Sequence, residues 1–115
     1  MANATIKQNE TFRVSLKLRD EQSGMALDLT DCTAYSQMRR KPGDDLIATA
    51  TCTINAEKGI IDVLWTSDQT ADFPLGVCGY DVWLIFPNNN DSYEQKAIYT
   101  DEITVIQPYT ENVGD

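Results

Sequence analysis

Chemistry needs particular side chains at particular separations, and this chain offers few of them. It contains no histidine, so the commonest general base and metal ligand is missing. Neither a Ser-His-Asp nor a Cys-His arrangement can be assembled. A pair of carboxylates would suffice for glycoside hydrolysis. Asp62 and Asp81 are the candidates, because each interrupts a hydrophobic run, Ile61-Asp62-Val63 and Tyr80-Asp81-Val82. Alternation puts both on the wetter face of their strands, which makes a solvated strand face the expectation rather than a reaction centre. Asp44-Asp45 and Asn88-Asn89-Asn90-Asp91 carry oxygen ligands for calcium, but neither has the D-x-[DN]-x-[DN]-G spacing, and turn chemistry accounts for both. There is no Walker loop and no G-x-G-x-x-G. The expectation is a protein without catalytic, metal or cofactor-binding residues, and not an enzyme.

The three cysteines, Cys32, Cys52 and Cys78, are odd in number, widely spaced and lack a CxxC pair, so a disulfide framework and a zinc site are both poor readings. Cys32 and Cys52 fall at apolar phases of candidate strands and read as small buried hydrophobes. The first residues lack an apolar signal core, so the three N-x-S/T triplets read as chance matches, and synthesis in a reduced, intracellular compartment is expected. No apolar run approaches the ~20 residues of a membrane helix.

The formal charge of -9 sets the dominant affinity term against nucleic acid. Its distribution is uneven: residues 1–41 carry seven cations against five acids, a net +2, and residues 42–115 carry two against thirteen, a net −11. Two readings stand: a solvated acidic surface that keeps the protein soluble, or unlike patches presented to copies of itself or to a partner. Arg39-Arg40-Lys41 is the one basic run, and it reads as a solvated corner or as an anchor for an acidic partner. Trp65, Trp83, Tyr35 and Tyr93 would form a sugar-stacking platform if they shared one exposed face. Trp83 is out of phase with Tyr80, Val82 and Leu84, so it meets either a second sheet or solvent, and a core role is the expectation. Exposed, it would be an interface anchor.

The elements that must position these groups are strands. In Phe12-Arg13-Val14-Ser15-Leu16-Lys17-Leu18-Arg19 the apolar and polar residues alternate, the signature of a half-buried strand. Asp20 to Gly24 reads as a turn, Met25 to Leu29 as short and extended, and Cys32 to Arg40 as a second alternating strand. Lys41-Pro42-Gly43-Asp44-Asp45 is a strong turn. Leu46 to Ile54 and Ile60 to Trp65 follow as strands joined by a hairpin loop. Ser67 to Phe73 breaks the pattern and reads as one helical turn capped by Ser67 and ended by Pro74, crossing between two sheets. Tyr80 to Phe86 is the most apolar strand, and Tyr93 to Tyr99 and Glu102 to Gln107 supply the last two. Nothing recurs at helical spacing for three turns. The fold expected is all-β, an antiparallel sandwich of about seven to eight short strands in one domain of 115 residues.

Five blocks in this order resemble a known family. They are Glu10-Thr11-Phe12-Arg13-Val14-Ser15-Leu16-Lys17-Leu18-Arg19-Asp20, Leu27-Asp28-Leu29-Thr30-Asp31-Cys32-Thr33-Ala34, Gln37-Met38-Arg39, Thr70-Ala71-Asp72-Phe73-Pro74-Leu75-Gly76 and Tyr80-Asp81-Val82-Trp83. The run resembles small tailed-bacteriophage structural proteins with an LDLTG-x-T-A … QxR … TA-x-x-P-x-G-x-YDV pattern, over roughly residues 8–107. It is also similar to the N-terminal domain of phage upper-baseplate proteins. Asp31 stands where the family pattern has glycine, so the turn there is expected to be built differently. The resemblance implies an Ig-like or jelly-roll-like sandwich that works by packing against other virion proteins. Such proteins include capsid decoration (cement) proteins and tail or baseplate adaptors.

On that basis the expected function is capsid decoration: binding the outer surface of the major capsid protein shell and stabilising the head. The alternatives are a tail, baseplate or head–tail adaptor and a host-glycan-binding module. Partners would be the major capsid protein and a second copy of the chain, with neither nucleic acid nor membrane, and the location would be the capsid surface after synthesis in the host cytoplasm. Residues 1–9 and 108–115 are expected to be arms flanking a sandwich at 10–107. The expected partner-binding residues are Ile6, Lys7, Arg13, Lys17, Arg19, Arg39, Arg40, Lys41, Trp83 and Tyr109.

Overall fold

The computed structural model describes residues 4–87 and 94–110. Among them the chain forms β1 (Ala4–Lys7), β2 (Phe12–Lys17), β3 (Thr33–Arg39), β4 (Ala48–Thr49), β5 (Thr51–Asn55) and β6 (Ile60–Trp65). A single helical turn, α1 (Ser67–Thr70), precedes β7 (Gly76–Phe86) and β8 (Glu94–Ile106). One sheet has the order β1-β8-β7-β3-β4 and the other β2-β6-β5. The two pack face to face, the β-sandwich that the alternation predicts.

Alternation supplies the core. β7 turns Cys78, Tyr80, Val82 and Leu84 inward, β6 turns in Ile61, Val63 and Trp65, and β8 turns in Ile103 and Val105, all buried. Each large side chain removed from water contributes about 1.5–3 kcal/mol before chain entropy is counted. Trp65 anchors the centre, stacked on Phe12 at 5.5 Å and edge-on to Tyr80 at 4.9 Å. Among the described residues β2 has a neighbouring strand on one side only, and its inward residues Phe12, Val14 and Leu16 are half-buried.

Continuous chain links the two sheets at both flanks, β1 to β2 and β4 to β5, and leaves β2 as an edge strand. β1 lies in the five-stranded sheet and runs on into β2 of the other. The stretch expected as one strand over Leu46–Ile54 divides at Ala50: β4 pairs with β3, and β5 pairs with β6. Ala50 N–H donates to Ser36 O at 3.0 Å at the crossing. Small side chains suit this corner, because the backbone passes close to β3.

Several local expectations change. The N-terminal arm is corrected: Ala4–Lys7 is a strand paired in parallel with Ile103–Ile106, and Ile6 is 7% exposed in the core. An Ile flanked by Thr and Lys has the alternation of an edge strand, and burial of Ile6 favours pairing over a free arm. The expected strands at Tyr93–Tyr99 and Glu102–Gln107 are one continuous β8, irregular opposite Val82 and Trp83. Met25–Leu29 is not a strand of either sheet: it is held by the Arg19–Ala26 bridge and by Leu29 N–H, which donates to Ala56 O at 3.2 Å. The cap of α1 is Thr66, not Ser67: Gln69 N–H donates to Thr66 Oγ1 at 3.2 Å, and Thr66 N–H donates to Gln69 Oε1 at 2.8 Å. In the Leu29–Cys32 turn Asp31 adopts φ 62°, the left-handed conformation that glycine would take freely. Asp28 Oδ1 accepts from Thr30 N at 3.0 Å and Thr30 Oγ1 at 2.6 Å, which holds its carboxyl below the usual carboxylate range.

Candidate partner-docking face

The outward residues of the five-stranded sheet follow from its register. Tyr35, Gln37 and Arg39 on β3 lie opposite Trp83, Asp81 and Gly79 on β7, and Asp81 and Gly79 lie opposite Thr100 and Glu102 on β8. Trp83 is therefore outside the core, correcting the expectation. Its neighbours Val82 and Leu84 are fully buried, so alternation turns Trp83 outward; Trp65 is the core indole. Tyr35 and Trp83 form a near-parallel cross-strand pair, 6.5 Å between centroids and 12° between planes. The Tyr35 hydroxyl donates to Gln95 Oε1 at 2.9 Å, which steadies the ring.

Beside this pair runs an open groove of about 660 Å³, walled by Trp83 and Asp81 and by Gln37, Arg39, Arg40 and Lys41. Gly79 forms part of its floor. The groove exists there because glycine has no side chain to fill the row between Arg39 and Glu102; a Cβ would stand 3.6 Å from Asp101 O and 3.7 Å from Glu102 Cγ. Arg39 is held in place, donating from Nη1 to Asp44 O at 2.6 Å and from Nη2 to Gln37 Oε1 at 2.9 Å. Arg40 Nη1 donates to Leu75 O at 2.7 Å. Lys41 is exposed at the rim. Among the described residues nothing donates to the half-buried Asp81 carboxylate.

The same face continues past Gly79 into Val77, 43% exposed, with Leu75 and Ile106 beyond it at 49% and 39%. These three aliphatic residues were not among the expected contacts. The signal was present in the alternation, since Val77 shares the phase of Gly79, Asp81 and Trp83, but the phase alone does not say which side faces water.

The other expected contacts do not join this face. Arg13 and Lys17 are exposed on the outer face of the three-stranded sheet, on the opposite side of the sandwich. Arg19 sits at the hairpin, with Nη1 3.4 Å from Gly24 O. Ile6 is a core residue, which removes it as a contact. Lys7 is exposed beside Ile106, its N–H donating to Glu10 Oε1 at 2.5 Å. Tyr109 is fully exposed beyond β8. Tyr93, Asn88–Asp91 and the expected arm residues 1–3 and 111–115 lie outside the described residues.

Candidate reactive groups are likewise dispersed. Asp62 accepts a hydrogen bond from Ser15 Oγ on the outer face of the small sheet, whereas Asp81 is on the outer face of the large one, so the two carboxylates do not converge. Among the described residues no three acidic or thiol groups gather to hold a metal ion. Cys78 is buried, and Cys32 and Cys52 are half-buried; burial raises all three thiols above their ordinary value. Among the described residues no helix is long and apolar enough to cross a membrane. Compared with known protein families and with curated protein sequences, the chain matches neither a family model nor a relative.

Proposed function

We propose that this chain is a non-enzymatic structural protein of a tailed-bacteriophage virion, a capsid decoration protein that binds the outside of the major capsid protein shell. The observation that carries the reading is the outward-facing Tyr35–Trp83 pair, Tyr35 exposed and Trp83 half-buried, beside the Arg39-Arg40-Lys41 corner. An aromatic anchor flanked by cations is a protein-docking combination: the ring supplies desolvated contact area and the cations select an acidic surface. Arg39 and Arg40 are already hydrogen-bonded, so docking costs little of the roughly 0.5–1.5 kcal/mol that ordering a long side chain usually takes. Many copies acting at repeated shell joints would sum individually weak contacts, and self-association into a dimer would multiply them.

The test is titration of purified empty shells with the chain. Saturation at hundreds of copies per particle supports decoration, and about a dozen copies supports the tail or baseplate alternative. Loss of binding by Trp83→Ala or by Lys41→Glu with the fold retained supports this face. Binding unchanged by both variants would overturn it.

A second reading, a glycan-binding module, draws on the half-buried Asp81 carboxylate beside Trp83, since sugars stack on aromatic rings and donate hydroxyls to carboxylates. Glycan binding lost with both Trp83→Ala and Asp81→Asn would favour it over docking on a protein.

A further inference from the structure

Among the described residues the two layers of the sandwich are unequal, five strands against three, and β2 is an edge of the smaller one. We propose that the free edge of β2 accepts an additional β-strand from a partner polypeptide, one whose outward side chains are acidic.

The backbone register defines that edge. Leu18 N–H donates to Gly59 O at 2.8 Å, and the pairing continues Val14↔Val63 and Leu16↔Ile61. Hydrogen-bonded and non-hydrogen-bonded pairs alternate along an antiparallel ladder. The even-numbered residues therefore spend their backbone groups on β6, and the N–H and C=O of Arg13, Ser15 and Lys17 point away from it. Among the described residues no strand pairs with them.

Packing on the inner side of the edge is also unfinished. Phe12, Val14 and Leu16 face the core yet are only half-buried, and among the described residues no strand lies beyond β2 in their sheet. A strand laid along β2 would cover them with its own inward, apolar side chains.

The charges on the outer side decide what that strand can be. Arg13 and Lys17 are exposed on either side of Ser15. An antiparallel pairing of β2 with β2 of a second copy, centred on Ser15, would set Arg13 of each copy against Lys17 of the other. Like charges directly opposite are destabilising, and lysine on an edge strand is a common guard against self-pairing. A partner strand with Glu or Asp at those two positions converts the same charges into attractive cross-strand pairs. The main-chain bonds then supply affinity, and the acidic positions supply selection. This inference is independent of the partner being a capsid.

The probes are two synthetic peptides of about eight residues, one alternating valine and glutamate and one alternating valine and lysine. They are added to the full chain, and backbone amide exchange is followed by NMR. The glutamate peptide is expected to slow exchange at Arg13, Ser15 and Lys17 by about tenfold or more, while Val14 and Leu16, already bonded to β6, change little. Lys17→Glu, an exposed substitution, should weaken the glutamate peptide by about fivefold or more and strengthen the lysine peptide. If neither peptide protects those three amides, or if both protect them equally, the proposal is wrong. Peptide-induced shifts confined to Tyr35 and Trp83 would also overturn it, by moving the occupant to the other face. None of these results bears on copies per particle, so a chain that coats shells yet ignores the peptides loses this inference alone.

Discussion

Tyr35 and Trp83 stand directly opposite one another on β3 and β7, 6.5 Å between ring centroids, on the side of the sheet that faces away from the core. One residue to either side of Trp83 along β7, Val82 and Leu84 are completely buried. The same strand therefore carries the core and the proposed docking face, one on each side, and the two can be perturbed separately.

That separation distinguishes the two indoles. Trp83→Ala should lower stability by about 1 kcal/mol, the scale of one cross-strand aromatic contact, while abolishing docking. Trp65→Ala, which empties the centre of the core, should cost about 3–5 kcal/mol. Urea denaturation of both variants checks this, and equal losses would contradict the assignment of the two rings.

β1 belongs to the sheet, so trimming the N-terminus is a stability experiment before it is a binding experiment. Ile6→Ala should cost about 2–4 kcal/mol through the cavity it leaves. Removing residues 1–7 should cost more, because β8 then loses its parallel neighbour along Ile103–Ile106. Thermal denaturation alongside shell binding separates the two effects; a truncated chain with an unchanged melting temperature would show that β1 contributes nothing.

Two backbone positions with positive φ should respond in opposite directions. Asp31 holds φ 62° in the turn after Leu29, and Asp31→Gly should raise stability by about 0.5 kcal/mol by relieving the left-handed strain. At Gly59, with φ 64°, a Cβ would lie 2.7 Å from Leu18 O and 2.8 Å from Leu27 O. Gly59→Ala should therefore destabilise by about 3 kcal/mol or more, since two backbone segments would have to move. Gly24, with φ 72° and open space around it, serves as the control, and its alanine variant should lose only about 1 kcal/mol.

Tyr80 makes stability sensitive to alkali. Burial comes first among the causes that raise its hydroxyl well above the ordinary tyrosine value; the neighbouring Tyr99 and Asp101 add to it. A group whose folded pKa is raised contributes stability that is fully present below the unfolded value and is lost as pH rises toward the folded one. Stability should hold through neutrality and fall from about pH 10 upward. Tyr80→Phe should flatten that alkaline decline while costing about 1 kcal/mol at pH 7 for the lost hydrogen bond to Tyr99. Denaturant midpoints across pH 7–12 test it; an unchanged alkaline slope would assign the sensitivity to other groups.

Side-chain order alone determined most of the strands and the inner face of most of them, though not β1, the break between β4 and β5, or the continuity of β8. Phe12-Arg13-Val14-Ser15-Leu16 can bury a face only by extending, because its apolar residues recur every second position. The absence of histidine, and the placement of Asp62 and Asp81 out of phase with their apolar neighbours, likewise carried the expectation of no reaction centre. What local order left open was long-range. Period two says that Trp83 and Val82 face opposite ways, but which of them meets the second sheet depends on where that sheet lies. The fate of Ile6 depended on β8, nearly a hundred residues away, whose edge was available for a parallel partner. The break at Ala50 depended on both sheets needing the same stretch of chain. The basic residues Arg13 and Arg39 look alike in sequence, and packing of the layers put them on opposite faces. Alternation is a property of neighbours, and neighbours are written in the sequence; which face meets another layer is a property of pairs brought together only when the chain folds.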